Sequence, residues 1–352
     1  MPPRFLKQSL RGFEPYVPGL QPPDGEDWIK LNTNESPYPP SPRVIEALRE
    51  AIGESLRLYP PPMSDPAADA LAASHGLDPA WVRLGNGEDE LIAMCFRAFA
   101  GAGERVAFTW PTYPLLEPLC GIHEAVPSPH PLGKGWSLPQ SFADDPAPLK
   151  FLVNPNSPTG TWYGREEVER VVASAQGVIV LDEAYVDFAP ESRLDLLESH
   201  DNLLILRTMS KAYALAGMRI GFAFGHPDLL AALDTVKDSY NLDRLSIVAA
   251  KAAAEDRGHR DRMVSRVIAD REWFAGELQA LDFLVSPTSA NFVFTHPPDG
   301  VAADAVFEGL KQRRILVRYF TKPPLDGWLR ITIGTRDQLA KVLRGITEIL
   351  QG

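Results

Sequence analysis

Leu203-Leu204-Ile205-Leu206-Arg207-Thr208-Met209-Ser210-Lys211-Ala212-Tyr213 is the stretch that decides how this chain folds. Leu203 to Leu206 is an apolar run of strand length. The residues after it break the run before Ala-rich sequence that ends at Gly221. Lys211 therefore stands just past a strand end, which is where open α/β sheets bind their ligands. A lysine partly desolvated in such a place is drawn toward its neutral, nucleophilic amine. That is the form a Schiff base requires. Thr208 and Ser210 flank it with hydroxyls, and Arg219 offers a guanidinium suited to a phosphate dianion. In isolation the same residues describe an ordinary amphipathic segment with a solvated lysine, so the neighbouring strands decide between the two.

Upstream lies a second apolar strand, Val178-Ile179-Val180-Leu181, which ends in Asp182-Glu183-Ala184-Tyr185. A carboxylate at the end of a buried strand is costly unless a cation partners it. A protonated pyridine nitrogen would serve Asp182, and Tyr185 would reach a phenolic oxygen on the same ring; a structural salt bridge is the competing account. Phe151-Leu152-Val153 reads as a strand running into the turn-rich loop from Asn154 to Gly160, and Val106-Ala107-Phe108 as one leading to Trp110-Pro111-Thr112-Tyr113-Pro114. Tyr113 either lies against a planar heteroaromatic ring or caps the core.

Val82-Arg83-Leu84 meets Gly85-Asn86-Gly87 and then a helix with apolar residues at 91, 92, 95, 96 and 99. Glycines there let backbone amides point at a ligand, and a helix N-terminus favours an anion. Glu88, Asp89 and Glu90 suit the helix dipole but repel a phosphate unless their side chains turn away.

These alternating strands and helices predict an α/β fold with a mostly parallel, doubly wound sheet in a large domain, residues 31–240. Ser41-Pro42 opens a helix through Val44, Ile45 and Leu48. Residues 1–30 read as an aperiodic arm. Residues 241–352 read as a smaller α+β domain: a long helical region from Ser246 to Leu281, strands at Ala290-Phe294, Ile315-Arg318 and Trp328-Ile333, and a last helix from Gln338 to Leu350. Arg318 and Arg330 sit at or inside apolar strands, where an arginine needs an anion. Two that converge would clamp a carboxylate or a phosphate; otherwise they are structural ion pairs.

The chain has 352 residues, 45% of them hydrophobic and 23% charged, so it has ample material for a core. A net charge of −11 argues against a nucleic-acid partner, since a phosphate backbone needs a basic face. Cys95 and Cys120 have no metal-ligand spacing, and neither a signal peptide nor a membrane-length apolar run is legible. The expected setting is cytoplasmic, with no metal and no membrane partner.

In order and spacing, Asn34-Glu35-Ser36-Pro37, Tyr59-Pro60, Gly85 to Glu90, Pro111-Thr112-Tyr113, Asn154 to Gly160, Asp182 to Tyr185, Ser210 to Arg219 and Leu329 to Thr335 resemble the fold-type-I pyridoxal-phosphate aminotransferases. The resemblance covers nearly the whole chain and is strongest to the histidinol-phosphate branch. It implies that Lys211 carries pyridoxal 5'-phosphate as a Schiff base and then acts as the base that moves a proton. Asp182 would pair with the ring nitrogen, Tyr185 and Ser157 with the ring oxygen, and Tyr113 with the ring face. The amides of Glu88 and Asp89, with Thr208, Ser210, Arg219 and Tyr59 from the other subunit of a homodimer, would hold the phosphate. Arg330, Arg318, Asn34 and Tyr16, the last reaching across from the arm to the partner's site, would bind substrate.

The implied reaction is reversible amino transfer between L-histidinol phosphate and 2-oxoglutarate in histidine biosynthesis. An aromatic amino-acid aminotransferase and a decarboxylase of a phosphorylated threonine share the scaffold and remain the alternatives. Two positions depart from the family pattern: Ser157 stands where asparagine is commonest, and Glu88 replaces a small residue, a change without consequence if only its amide is used.

Overall fold

The computed structural model describes residues 4–7, 10, 19–23 and 26–351. Tyr16 lies outside them. The chain enters through a two-residue strand, β1 (Ile29–Lys30), and two helices, α1 (Pro42–Ala51) and α2 (Asp65–His75). Ser41 caps α1, its hydroxyl accepting from Arg43 N at 3.1 Å.

Next come β2 (Val82–Asn86), α3 (Glu88–Phe99), β3 (Arg105–Trp110), α4 (Leu116–His123), β4 (Val126–Pro131), α5 (Gln140–Ala143), β5 (Leu149–Val153), α6 (Arg165–Ser174), β6 (Val178–Asp182), β7 (Leu203–Thr208) and β8 (Ile220–Gly225). Their strands form one seven-stranded sheet in the order β2-β8-β7-β6-β5-β3-β4. Only β8 runs against the other six. The sheet is thus mostly parallel, with helices on both faces. Val180, Leu204 and Phe151 look toward α3 and α4, while Ile179, Leu181 and Ile205 look toward α2 and α6. Burial on both faces is why these strands read as continuous apolar runs rather than alternating ones.

β4 escaped the sequence reading because Pro127, Pro129 and Pro131 argue against a strand. It occupies the sheet edge, beside β3 alone, where prolines can be accommodated.

The rest of the chain is α7 (Pro227–Val236), α8 (Arg244–Glu255), α9 (Arg257–Ala280), β9 (Leu284–Ser286), β10 (Phe292–His296), α10 (Ala303–Gln312), β11 (Ile315–Leu316), β12 (Arg318–Tyr319), β13 (Leu329–Thr332) and α11 (Arg336–Gln351). A four-stranded antiparallel sheet runs β12-β13-β10-β9, and β1 pairs in parallel with β11, tying the end of the arm to the C-terminal region.

Two expectations are corrected. The long helical region is two helices, broken at Asp256, whose carboxylate takes the Ser41 hydroxyl at 2.5 Å and whose backbone leaves helical angles. The run Ile315–Arg318 is likewise two short strands: β11 serves β1, and β12 serves β13.

Candidate active site

Strands β6 and β7 end side by side, so Asp182, Thr208, Ser210 and Lys211 emerge at one rim of the sheet. Two adjoining cavities open there, of about 280 and 910 Å³, and both include Thr33, Tyr113, Ser157, Tyr185 and Lys211 in their walls.

The smaller cavity also has Glu88, Asp89, Asp182, Thr208, Ser210 and Arg219 in its wall. Its floor depends on close approach between β8 and the start of α3. A Cβ on Gly221 would lie 2.4 Å from Glu88 N, so only glycine permits the contact. Gly87, at φ +81°, turns the chain into α3 and offers no side-chain cap, which leaves first-turn amides directed at the cavity. Thr208 Oγ1 accepts from Ser210 N at 3.1 Å and lies 2.9 Å from Ser210 Oγ. Arg219 Nη2 donates to Asp89 Oδ2 at 3.1 Å, and Tyr113 Oη donates to Asp89 Oδ1 at 2.9 Å. This cluster of hydroxyls, amides and a guanidinium is a phosphate-type donor set.

Asp182 is only 5% exposed, accepts from Ala184 N at 2.9 Å, and forms no ion pair among the described residues. Burial pushes its carboxyl up to about 6, against the opposing pull of the Ala184 amide and of a hydrogen bond with Glu88. Such a carboxylate seeks a cationic N–H.

The three acidic residues at the start of α3 take different directions. Glu90 turns to Asn86 N and Asn241, Asp89 to Arg219 and Tyr113, but Glu88 turns inward and bonds Asp182. The Glu88 side chain therefore does not turn away: the residue is 7% exposed and forms part of the cavity wall. Burial first, and the Asp182 charge second, hold that carboxyl well above the usual range.

Lys211 Nζ donates to Thr33 O at 3.3 Å and stands 5.7 Å from the centre of the Tyr185 ring. Tyr185 Oη receives Asn34 Nδ2 at 2.9 Å. Asn34, at φ 56°, is itself held by Thr332, which donates to its Oδ1, and by Asn291, which donates to its carbonyl. Asn34 thus positions Tyr185 as well as forming part of the larger cavity.

That larger cavity is walled by Arg318 and Arg330, register partners across β12 and β13. Arg330 donates to Ser157 Oγ at 3.0 Å and to Asn32 O at 3.2 Å, so Ser157 meets the arginine at the junction of the two cavities. Tyr59 forms part of neither wall. It is 78% exposed and stacks on Tyr240 at 4.4 Å.

Sequence reasoning missed Thr33, because it acts through a backbone carbonyl that any residue type would present. It also missed Phe320 and Lys322 at the larger cavity, which carried no motif.

Residues 26–346 match the family described as Aminotransferase class I and II. The histidinol-phosphate aminotransferase of Syntrophotalea carbinolica is 43% identical over 98% of this chain and 99% of its own length. That of Citrifermentans bemidjiense is 42% identical over 99% of each. The crystal structure of histidinol-phosphate aminotransferase from Sinorhizobium meliloti in complex with pyridoxal-5'-phosphate superposes with a TM-score of 0.85 at 27% identity, covering 92% of this chain and 91% of that one. On its sheet, its cavities and this full-length similarity, the chain belongs to the class I and II aminotransferases.

Proposed function

We propose that the smaller cavity holds pyridoxal 5'-phosphate and that the enzyme exchanges an amino group between L-histidinol phosphate and 2-oxoglutarate, in the cytoplasm and as a homodimer. The residues present fit the cofactor. An uncapped helix start, two hydroxyls and a guanidinium suit its phosphate, and a buried carboxylate lacking a side-chain cation suits its protonated ring nitrogen.

When bound, pyridoxal phosphate supplies an electron sink that acidifies the Cα–H of an attached amine. Asp182 would keep the ring-nitrogen proton in place, and Tyr185, oriented by Asn34, would hold the ring oxygen. Lys211 Nζ, as a free amine, would take a proton from the substrate Cα and deliver it to C4′ of the cofactor, the shift that amino transfer requires. The low-dielectric wall around Asp182 strengthens each of these interactions.

Substrate choice rests on one observation. Arg318 and Arg330 are register partners at one cavity wall, so an anion entering the larger cavity meets two guanidinium groups. Arg330 would serve either anion, the α-carboxylate of glutamate or the phosphate ester, and Arg318 would add a contact to the phosphate, which lets one pocket accept both donors. The relatives named histidinol-phosphate aminotransferase favour the phosphate ester.

The test is a half-reaction. Adding L-histidinol phosphate alone to the coloured protein should abolish the visible band of the lysine-bound cofactor, and 2-oxoglutarate should restore it. The R318A variant should lose at least about thirtyfold in kcat/KM with histidinol phosphate and far less with glutamate. A band that answers only to phenylalanine or tyrosine moves the substrate to the aromatic branch, and release of carbon dioxide without need of a keto acid moves it to the decarboxylase.

A further inference from the structure

Glu88 is the one acidic side chain at the start of α3 that the surrounding donors leave to the cofactor cavity. Asp89 is taken by Arg219 and Tyr113, and Glu90 by Asn86 N and Asn241. Glu88 itself is nine-tenths buried, shares the wall of the smaller cavity with Asp182, and keeps Oε1 buried with no hydrogen-bond partner among the described residues. The press of β8 on the first turn of α3, which requires Gly221, fixes the backbone from which this side chain enters the cavity.

We propose that Glu88 is a positioning residue for the cofactor: as the neutral acid it donates to the Asp182 carboxylate and holds that carboxylate toward the ring nitrogen. The inference rests on the reading of the smaller cavity as a pyridoxal-phosphate site and goes beyond it, because the family pattern places a small residue here.

Two carboxyls in contact in a buried site cannot both ionise cheaply, so one proton stays between them. It resides on Glu88, whose carboxyl burial and the Asp182 charge hold up, while the Asp182 carboxylate gains a charge-assisted hydrogen bond. The charged groups that share the cavity wall with Glu88 are Asp182 from the end of β6, Asp89 on α3, Lys211 after β7, Arg219 before β8 and Glu35 before α1. If Glu88 ionised, its charge would oppose both Asp182 and the cofactor's phosphate dianion.

The experiment titrates apoenzyme with pyridoxal phosphate and follows the visible band, for wild type, E88Q and E88A, from about pH 6 to about pH 9. A thermal melt of each apoenzyme checks folding. Near neutrality E88Q, whose amide N–H repeats the donation, should bind within about twofold of wild type, and E88A should bind about tenfold more weakly. As pH rises, wild type should lose affinity relative to E88Q, because only the acid can ionise.

Equal affinity of E88A and wild type at every pH overturns the role. So does an E88Q defect as large as that of E88A, which would mean that the site uses the carboxyl itself and not a donated hydrogen bond; and a wild type that keeps a constant affinity ratio to E88Q across the pH range would mark Glu88 as packing alone and overturn the role as well. A wild type that takes up no cofactor overturns the cofactor reading and this role with it, whereas a coloured wild type with an indifferent E88A overturns this role alone.

Discussion

Asp182 illustrates how a single residue trades stability for binding. Its ordinary value is 3.8 and its folded value about 6, so the folded apoenzyme holds more protons than the unfolded chain between those limits. Stability therefore declines as pH rises through that window, and above it the full cost, about 3 kcal/mol before sharing with Glu88, is present. D182N removes the cost. The D182N apoenzyme should melt above wild type near pH 8, the gap should close toward pH 4, and cofactor affinity should fall by at least about a hundredfold. Melting curves that run in parallel at both pH values would mean that the carboxyl is solvated.

Arg318 teaches the same lesson about pairs. In sequence it is one arginine near a strand, and only its register opposite Arg330 brings the two together at one cavity wall.

At the scale of elements, the site depends on how closely β8 approaches α3. Gly221 pairs with Gly85 on one side and with Thr208 on the other, so the Gly-rich turn before α3 and the strand that carries Thr208 meet at one glycine. G221A would set a methyl group 2.4 Å from Glu88 N and 2.5 Å from Gly87 C, and backbone atoms cannot swing aside as a side chain can. The variant should lose about 2–3 kcal/mol of stability by urea denaturation, and its cofactor affinity should fall with it. Unchanged cofactor affinity would show that the α3 amides do not hold the phosphate.

A second device stiffens the neighbouring strand end. Glu183 receives Arg207 through two nitrogens, at 3.0 and 2.8 Å, and also receives Ser192. That network ties β6 to β7 beneath the catalytic rim. The partly buried His75 beside it stays neutral, lowered to about 3 by desolvation and by the Arg207 charge.

For the whole molecule, the exposed patch of Leu56, Leu58, Tyr59 and Tyr240 is the feature that a single chain leaves unexplained. If Tyr59 serves the phosphate of the other subunit, mixing K211A with Y59A subunits should regenerate one intact site per mixed dimer. It would combine Lys211 from one chain with Tyr59 from the other. Activity of the mixture well above the sum of the two parents, measured after subunit exchange, is the expected result. No gain on mixing would place Tyr59 in its own subunit's site or outside the site altogether.

How much was legible in the chain alone follows from the range of each interaction. Buried strands, capped helices and the order of their alternation are local properties, so the mostly parallel α/β sheet was readable from apolar runs and turn residues. That Lys211, Asp182, Tyr185 and Arg219 stand at element ends was readable for the same reason, and the structure gathers them around one cavity. Non-local features were not. The break at Asp256 depends on Ser41, more than two hundred residues away; the proline-bearing strand β4 depends on an edge position; the pairing of Arg318 depends on register, and the partners of Asn34 on the meeting of distant segments. Above all, the sequence by itself determined that an acidic residue stands at the start of α3, but only the packing of β8 against that turn decided that Glu88 points inward, because burial and charge pairing are set by what the fold brings within a few ångströms.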